Sequence, residues 1–521
     1  MKQHRRHNHK FLRTTALVLL LMWGLPALAC NFPTVHDYRQ PGNIDPQQTL
    51  ESLLFPNGSD TAETPVSPDT TEVPVPVPSV PEGPAWQLTN GTFIYAAQSG
   101  DTLPALAKRF DVSPGQITSS DPIPAQALIR PGQLLNIPNS FEQQPPFNQA
   151  LLPDSAIVYS PASIDFDLFG YINQAGGYLS SYSEQVAEEL LTGPQIVERV
   201  VLETSTNPRI LLAALEYQSG WVLGQPRNPS SNYPMGFTVS TYEGLYKQLI
   251  LTQRQLTIGY YGWRSGSQTT LPFEDGQPVR ISPILNAGSV AVQYLFATLY
   301  RPANWENILY GENNFVNLYN GMFPNAWSAA TELGPQLPPD LENPRLELPF
   351  ATGDAWNLTG GPHAAWGIGS PRGAVDFAPN RAERGCTISS AWVTAAAPGL
   401  VIRSERGLVM VDLDGDGYEQ TGWVIMYLHV AERDRIAADA WVDTNDPLGH
   451  PSCEGGVSTG SHVHLTRKYN GEWIAVDDPL PLILSGWQVV SGDKNYQGSL
   501  IKEDAVVEAK PGGSAGSLIV R

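Results

Sequence analysis

Two proline-rich tracts break this sequence into stretches that no single hydrophobic core could span. One, TAETPVSPDTTEVPVPVPSVPEGP, ends at Pro84; the other, ELGPQLPPDLENPRLELPF, ends at Phe350. Proline locks φ and lacks a donor, so neither tract continues a helix or a central strand. The first reads as an extended, semi-stiff spacer, the second as a connector. A chain of 521 residues already calls for about three or four domains. The expected division is a leader at 1–29, a linker at 30–90, a small β-α-α-β unit at 91–139, and a mainly α domain at 150–345. An antiparallel β-sheet domain at 350–500 and a flexible tail at 501–521 complete it. The last domain is rich in glycine, tryptophan and short β-like runs such as TGWVIMYLHV and SHVHLTRKYNGEWIAV.

The chain opens MKQHRRHNHKFLRTTALVLLLMWGLPALAC. A basic stretch, an apolar run from Thr15 to Leu25 and the small residues Ala27-Leu28-Ala29 have the layout of an export signal, and the run is too short to span a bilayer. Cys30 leaves two outcomes open: a lipid-bearing first residue that attaches the chain to a membrane, or simple secretion. Ala27, where a lipobox usually has Leu, favours secretion. Either outcome is extracellular or in the cell envelope. Five of the 31 basic residues (Lys2, Arg5, Arg6, Lys10, Arg13) lie in the leader, leaving 26 against 51 acidic residues, a charge of −25. So acidic a surface repels phosphates, and no nucleic acid partner is expected. Cys386 and Cys453 remain, and two cysteines in an exported chain point to one disulfide.

Residues 91–139 run GTFIYAAQSGDTLPALAKRFDVSPGQITSSDPIPAQALIRPGQLLNIPN. Phe93-Ile94-Tyr95 starts a strand, Ser99-Gly100-Asp101 turns into a helix carrying Leu103, Leu106, Ala107 and Phe110, Pro114 opens a second helix, and Leu134–Pro138 closes the unit. The segments SGDTLxxLAxxF and PGQxLxIP resemble those of LysM, a module that binds N-acetylglucosamine-containing glycans. That resemblance implies a groove lined by Gly100, Asp101, Thr102, Leu103 and Ile129.

In the middle domain the stretch NPRILLAALEYQSGWV resembles the acid-bearing helix of lysozyme-like lytic transglycosylases. There a Glu precedes the Ser; here Gln218 precedes Ser219, and the nearest acid is Glu216. An amide cannot protonate a glycosidic oxygen. Three readings stay open: a degenerate or glycan-contacting helical domain, catalysis through Glu216, or an unrelated spacer.

In the β domain, His462 and His464 are two residues apart in STGSHVHL, so a strand puts both on one face. A catalytic zinc takes three N/O ligands and keeps one position open. The other histidines here are His363, behind Gly360-Gly361-Pro362 in an expected loop, His429, ending VIMYLHV, and His450, before Pro451 in a turn-rich segment. By alternation, Val424, Met426 and Leu428 share one face and Tyr427 and His429 the other. Asp376 lies between Val375 and Phe377, where a carboxylate needs a partner or a metal; Arg372 is the alternative partner.

GGPHAAWGIGSPRGAVDFA, YLHV and CEGGVSTGSHVHLTRKYNG, in this order, resemble the motifs of LytM/lysostaphin-type zinc endopeptidases (family M23), in the staphylolysin-like version where ligand His and ligand Asp are thirteen residues apart. The commoner version has the ligand four residues before the Asp, where this chain has Arg372. The resemblance implies one zinc per chain held by His363, Asp376 and His464, with His429 and His462 as the catalytic pair, and peptidoglycan as substrate. Tyr427 would lend a hydroxyl to the same task. A Cys386–Cys453 bridge would anchor the loop Glu454-Gly455-Gly456, although Cys386 lies earlier than the partner cysteine of that branch. Asp412, Asp414 and Asp416 imitate the start of a calcium loop, but the twelfth position is Trp423, so a tight acidic turn is preferred to a calcium site. The rival functions are a non-catalytic wall-binding activator of another hydrolase and a glycan-cleaving enzyme using the middle domain.

Overall fold

The computed structural model describes residues 86–226, 232–380 and 385–521. The leader, Cys30 and the linker up to residue 85 lie outside the described residues; among the described residues no helix is long and apolar enough to cross a membrane.

The first unit is a three-stranded sheet, Trp86–Thr89, Thr92–Ala96 and Leu134–Pro138, with the helix Leu103–Phe110 packed on it. Two expectations change. The linker read to residue 90 gives up Trp86–Thr89 as a strand. Asn90 and Gly91 both adopt positive φ, 51° and 74°, which is the two-residue hairpin turn that an Asn-Gly pair favours. The second helix shrinks to a single 3-10 turn, Pro114–Gln116.

The middle region is helical apart from two short hairpins. Its centre is Ala287–Ala297, a helix with every residue buried. The twenty-residue helix Leu245–Arg264 crosses it at Gly259, where an added Cβ would lie 2.7 Å from that of Tyr294. Glycine permits that close approach.

The last domain is built on a nine-stranded antiparallel sheet. Across it run Trp441–Val442, Gly399–Glu405, Leu408–Asp412, Trp423–Leu428, Val463–Tyr469, Arg372–Pro379, Ala355–Ala364 and Leu518–Val520, with Glu472–Trp473 pairing off the path. The segment expected to be a loose tail supplies one edge: Ile519 is buried opposite Trp356, and Arg521 Nη1 donates to the Phe350 carbonyl at 2.7 Å. PGGS reads as the start of a tail, but Gly512 and Gly513 both take positive φ and turn the chain back, so the short apolar run Leu518–Val520 reaches the sheet.

The two faces of this sheet enter different cores. Val375, Phe377, Val411, Ile425, Tyr427, Val463 and Leu465 form the domain's own core. Leu408, Met410, Val424, Met426 and Leu428 merge instead with the helical region. The connector therefore joins domains that share apolar surface, and charge is buried between them. Lys468 and Arg403 both reach Glu419, at 3.5 and 3.2 Å, and Lys468 Nζ lies 3.2 Å from Ser205 Oγ of the helical region.

Candidate metal centre

The register of the sheet assembles the site. His464 stands opposite Asp376 on one side and opposite Leu428 on the other, so all three share a face. His363 would miss that face in a regular ladder. The pairing runs Gly360 with Asp376 but His363 with Ala374, a bulge of one extra residue, and a one-residue shift reverses a side chain. What was expected to be a loop at Gly360-Gly361-Pro362 is this bulge, inside the strand Ala355–Ala364. Gly360 is needed there, since a Cβ would lie 2.2 Å from Asp376 Oδ2.

His429 reaches the same side by a different device. Strict alternation sends it away with Tyr427, but φ of +66° at His429 turns the ring back. Its centroid lies 4.5 Å from that of His462 and 6.5 Å from that of His464. Tyr427 stays on the opposite face, fully buried, with its hydroxyl accepting from the Ala396 N–H at 2.7 Å. The expectation that Tyr427 joins His429 is corrected: alternation places Tyr427 in the core, and only the histidine escapes it.

Asp376 Oδ1 is buried without a hydrogen-bond partner. Facing it are His363 Nε2 and His464 Nδ1, each at 3.3 Å, and His462 Nε2 at 3.7 Å. The first two nitrogens lie 3.0 Å apart. Each ring donates from its other nitrogen to a carbonyl: His363 Nδ1 to Gly361 at 2.8 Å, His464 Nε2 to Ala365 at 3.1 Å, His462 Nδ1 to Gly460 at 2.8 Å, and His429 Nδ1 to Glu454 at 2.8 Å. Those bonds fix tautomers that leave lone pairs aimed inward. Two imidazole lone pairs and a carboxylate oxygen so close together demand a cation. Without a metal that cation is a proton: burial opposes charge on His363, but the Asp376 carboxylate outweighs it and raises the pKa. Burial likewise works against the Asp376 anion, yet His363 and His462 hold its pKa well below the usual range. Burial lowers the pKa of His464. Burial, then the rings of His462 and His464, pushes His429 down to about 3, so it is a neutral base at pH 7. A divalent ion with N/O ligands fits this donor set, and His363, Asp376 and His464 would hold it.

Cys386 and Cys453 are bonded, closing a separation of 67 residues. The bridge fastens the start of the loop whose Glu454 carbonyl holds His429. Replacing both cysteines by alanine is expected to lower stability by about 4 kcal/mol on chain-entropy grounds, measurable as a lower urea midpoint.

Other expected residues are brought elsewhere. His450 donates from Nδ1 to the Ala391 carbonyl at 2.8 Å and packs against Trp392, a structural role. Asp412 accepts from Gly417 N–H and Asp416 from Tyr418 N–H, at 2.9 and 2.8 Å, in a tight turn where one carboxylate oxygen from each of Asp412, Asp414 and Asp416 lies within 4.8 Å of the others. Glu216 is buried, with Oε2 accepting from the amides of Val222 and Leu223 at 2.8 Å each. Gln218 Oε1 accepts from the Tyr300 hydroxyl at 2.7 Å. Neither offers an exposed acid.

The expected glycan groove is also changed. Gly100, Asp101 and Ile129 are buried, and Thr102 and Leu103 are partly so. Asp101 pairs with Arg109 at 2.6 Å and accepts from Tyr95 Oη at 2.8 Å, which holds the module together. A Cβ on Gly100 would meet the Arg264 guanidinium of the helical region. Against that region this surface is an interface.

A cleft of about 630 Å³ lies between the helix Gly193–Thr204 and the sheet. Its floor includes Met410, Met426 and Leu428, its rim Arg199, Glu203, Arg406 and Glu405, and one end Glu454 and Gly455, beside His429.

A sheet presenting two histidines and an aspartate on one buried point, with two further histidines beside them, defines a site that can hold a divalent metal. Residues 95–138 match the LysM domain family, and 150–339 match the family described as LasA, N-terminal domain. Protease LasA of Pseudomonas aeruginosa is 28% identical over 334 residues, covering 60% of this chain and 74% of that protein. Beta-lytic metalloendopeptidase of Achromobacter lyticus is 27% identical over 162 residues, 30% of this chain and 40% of that protein. The solved structure of the M23 metalloprotease pseudoalterin has 24% identity and a TM-score of 0.28, over 32% of this chain and 96% of that one. The chain is thus similar to LysM modules in one segment and, over a larger share of its length, to protease LasA and beta-lytic metalloendopeptidase.

Proposed function

We propose that this chain is an exported zinc metalloendopeptidase that hydrolyses peptide bonds in peptidoglycan and associates with the wall through its LysM module. The observation that carries this reading is the convergence of His363 Nε2, Asp376 Oδ1 and His464 Nδ1 on one buried point, with two further histidines beside it. When bound there, zinc supplies a Lewis acid for the scissile carbonyl. His429, neutral and oriented by Glu454, accepts a proton from the attacking water, and His462, oriented by Gly460, shares that task or delivers a proton to the leaving amine as the C–N bond breaks. The apolar floor and mixed-charge rim of the adjoining cleft suit a peptide bearing both amine and carboxylate groups. The intact five-residue set weighs against a non-catalytic activator, and the buried, amide-bound Glu216 against glycan cleavage. Digestion of purified peptidoglycan followed by mass spectrometry is the test: new amino termini in the stems or bridges are expected, whereas cut glycosidic bonds with intact peptides would sink the reading.

A further inference from the structure

We propose that Tyr496 and Arg372 are positioning residues for His363, a role that rests on the metal reading above. His363 follows Gly360-Gly361-Pro362 in a bulge, where the regular pairing of the ladder is interrupted. The bond from its Nδ1 goes to Gly361, on the same bulge, so it orients the ring without anchoring it to the rest of the domain.

The anchor comes from the turn between Trp487–Ser491 and Gly498–Lys502. The ring of Tyr496 stacks on His363 with centroids 4.2 Å apart and planes at 19°. Two backbone bonds hold that turn to the bulge: Gly361 N–H to the Tyr496 carbonyl at 3.1 Å, and Tyr496 N–H to the Pro362 carbonyl at 3.0 Å. Tyr496 itself sits at φ +67°, a conformation a non-glycine residue keeps only where its surroundings enforce it. Arg372 supplies part of that enforcement, with Nη1 donating to the Gly492 carbonyl at 2.7 Å. Arg372 occupies the position where the commoner motif has its ligand. In this chain the vacated ligand position thus holds down the turn whose tyrosine backs the substitute ligand.

The test is the zinc dissociation constant of the full chain, by competition with a chromogenic chelator, alongside the melting temperature of the metal-free protein. Tyr496→Ala is expected to bind zinc roughly 10- to 100-fold more weakly, Arg372→Ala more weakly than wild type, and Tyr496→Phe, which keeps the stack, close to wild type. Tyr496→Leu keeps apolar bulk without an aromatic face and serves if the alanine variant does not fold. Wild-type affinity in folded Tyr496→Leu or Tyr496→Ala overturns the proposal, as does a Tyr496→Phe loss equal to that of alanine. If the wild-type chain itself binds no zinc, the metal reading fails instead.

Discussion

His464→Ala, His363→Ala and Asp376→Ala are each expected to lose bound zinc and, with it, all peptide cleavage, while His462→Ala and His429→Ala keep about one equivalent of zinc and cleave slowly. The division follows from where the inward atoms lie. His363 Nε2, Asp376 Oδ1 and His464 Nδ1 lie within 3.0 to 3.3 Å of one another. Removing any one leaves too few ligands. His462 Nε2 stands further from Asp376 Oδ1, at 3.7 Å, and His429 faces His462. Losing a general base or a group that stabilises the developing oxyanion lowers the rate by ~10²-fold or more without removing a ligand. Zinc titration and a muropeptide cleavage assay on the same samples separate the two classes. Chelation of the wild type should give the activity of His464→Ala, and added zinc should restore it. Zinc lost from His462→Ala but kept by His464→Ala would reverse the roles within this pair.

These residues were legible because the chemistry allows few substitutes. Zinc takes thiolate, imidazole or carboxylate; neither cysteine of the domain has a close cysteine neighbour, the chain has nine histidines, and four of them fall in motif-like surroundings in one domain. The devices that gather them were not legible. The bulge that turns His363 inward depends on register with Ala374, a partner eleven residues later, and the positive φ at His429 breaks the alternation on which the sequence reading relied. That same reliance misplaced Tyr427. Tyr496 carries no pattern at all in KNYQG, since its role comes from a turn folding back over a distant strand. The packing of the expected LysM groove against the helical region was not legible for another reason: a motif states what a module's surface is made of, and a neighbouring domain decides whether that surface is open. Gly100 lies against Arg264, far along the chain.

Arg264→Ala is expected to destabilise the full chain by about 3–5 kcal/mol, because it strips the counter-charge from a buried cluster shared by all three domains. The guanidinium lies 3.0 Å from Glu472 of the sheet domain through Nε, and 3.0 Å from Asp154 through Nη2, while Nη1 donates to the Ser99 carbonyl of the LysM unit. Tyr260 donates to Glu472 at 2.8 Å and closes the network. Burial already raises the pKa of Glu472 against the pull of Arg264. Without the arginine, Glu472 must either take up a proton or stay charged in a poor solvent for charge, and both cost stability. Arg264→Lys should recover only part of the loss, since one ammonium cannot match the planar, multi-donor contacts to these partners. Urea denaturation measures the loss. A second readout follows from the position of Ser99 and Gly100: loosening this contact uncovers the surface around Ser99, Gly100 and Thr102, so sedimentation of Arg264→Ala with insoluble peptidoglycan should exceed that of wild type. Unchanged stability together with unchanged sedimentation would mean that the docked LysM face is neither held by Arg264 nor masked by it.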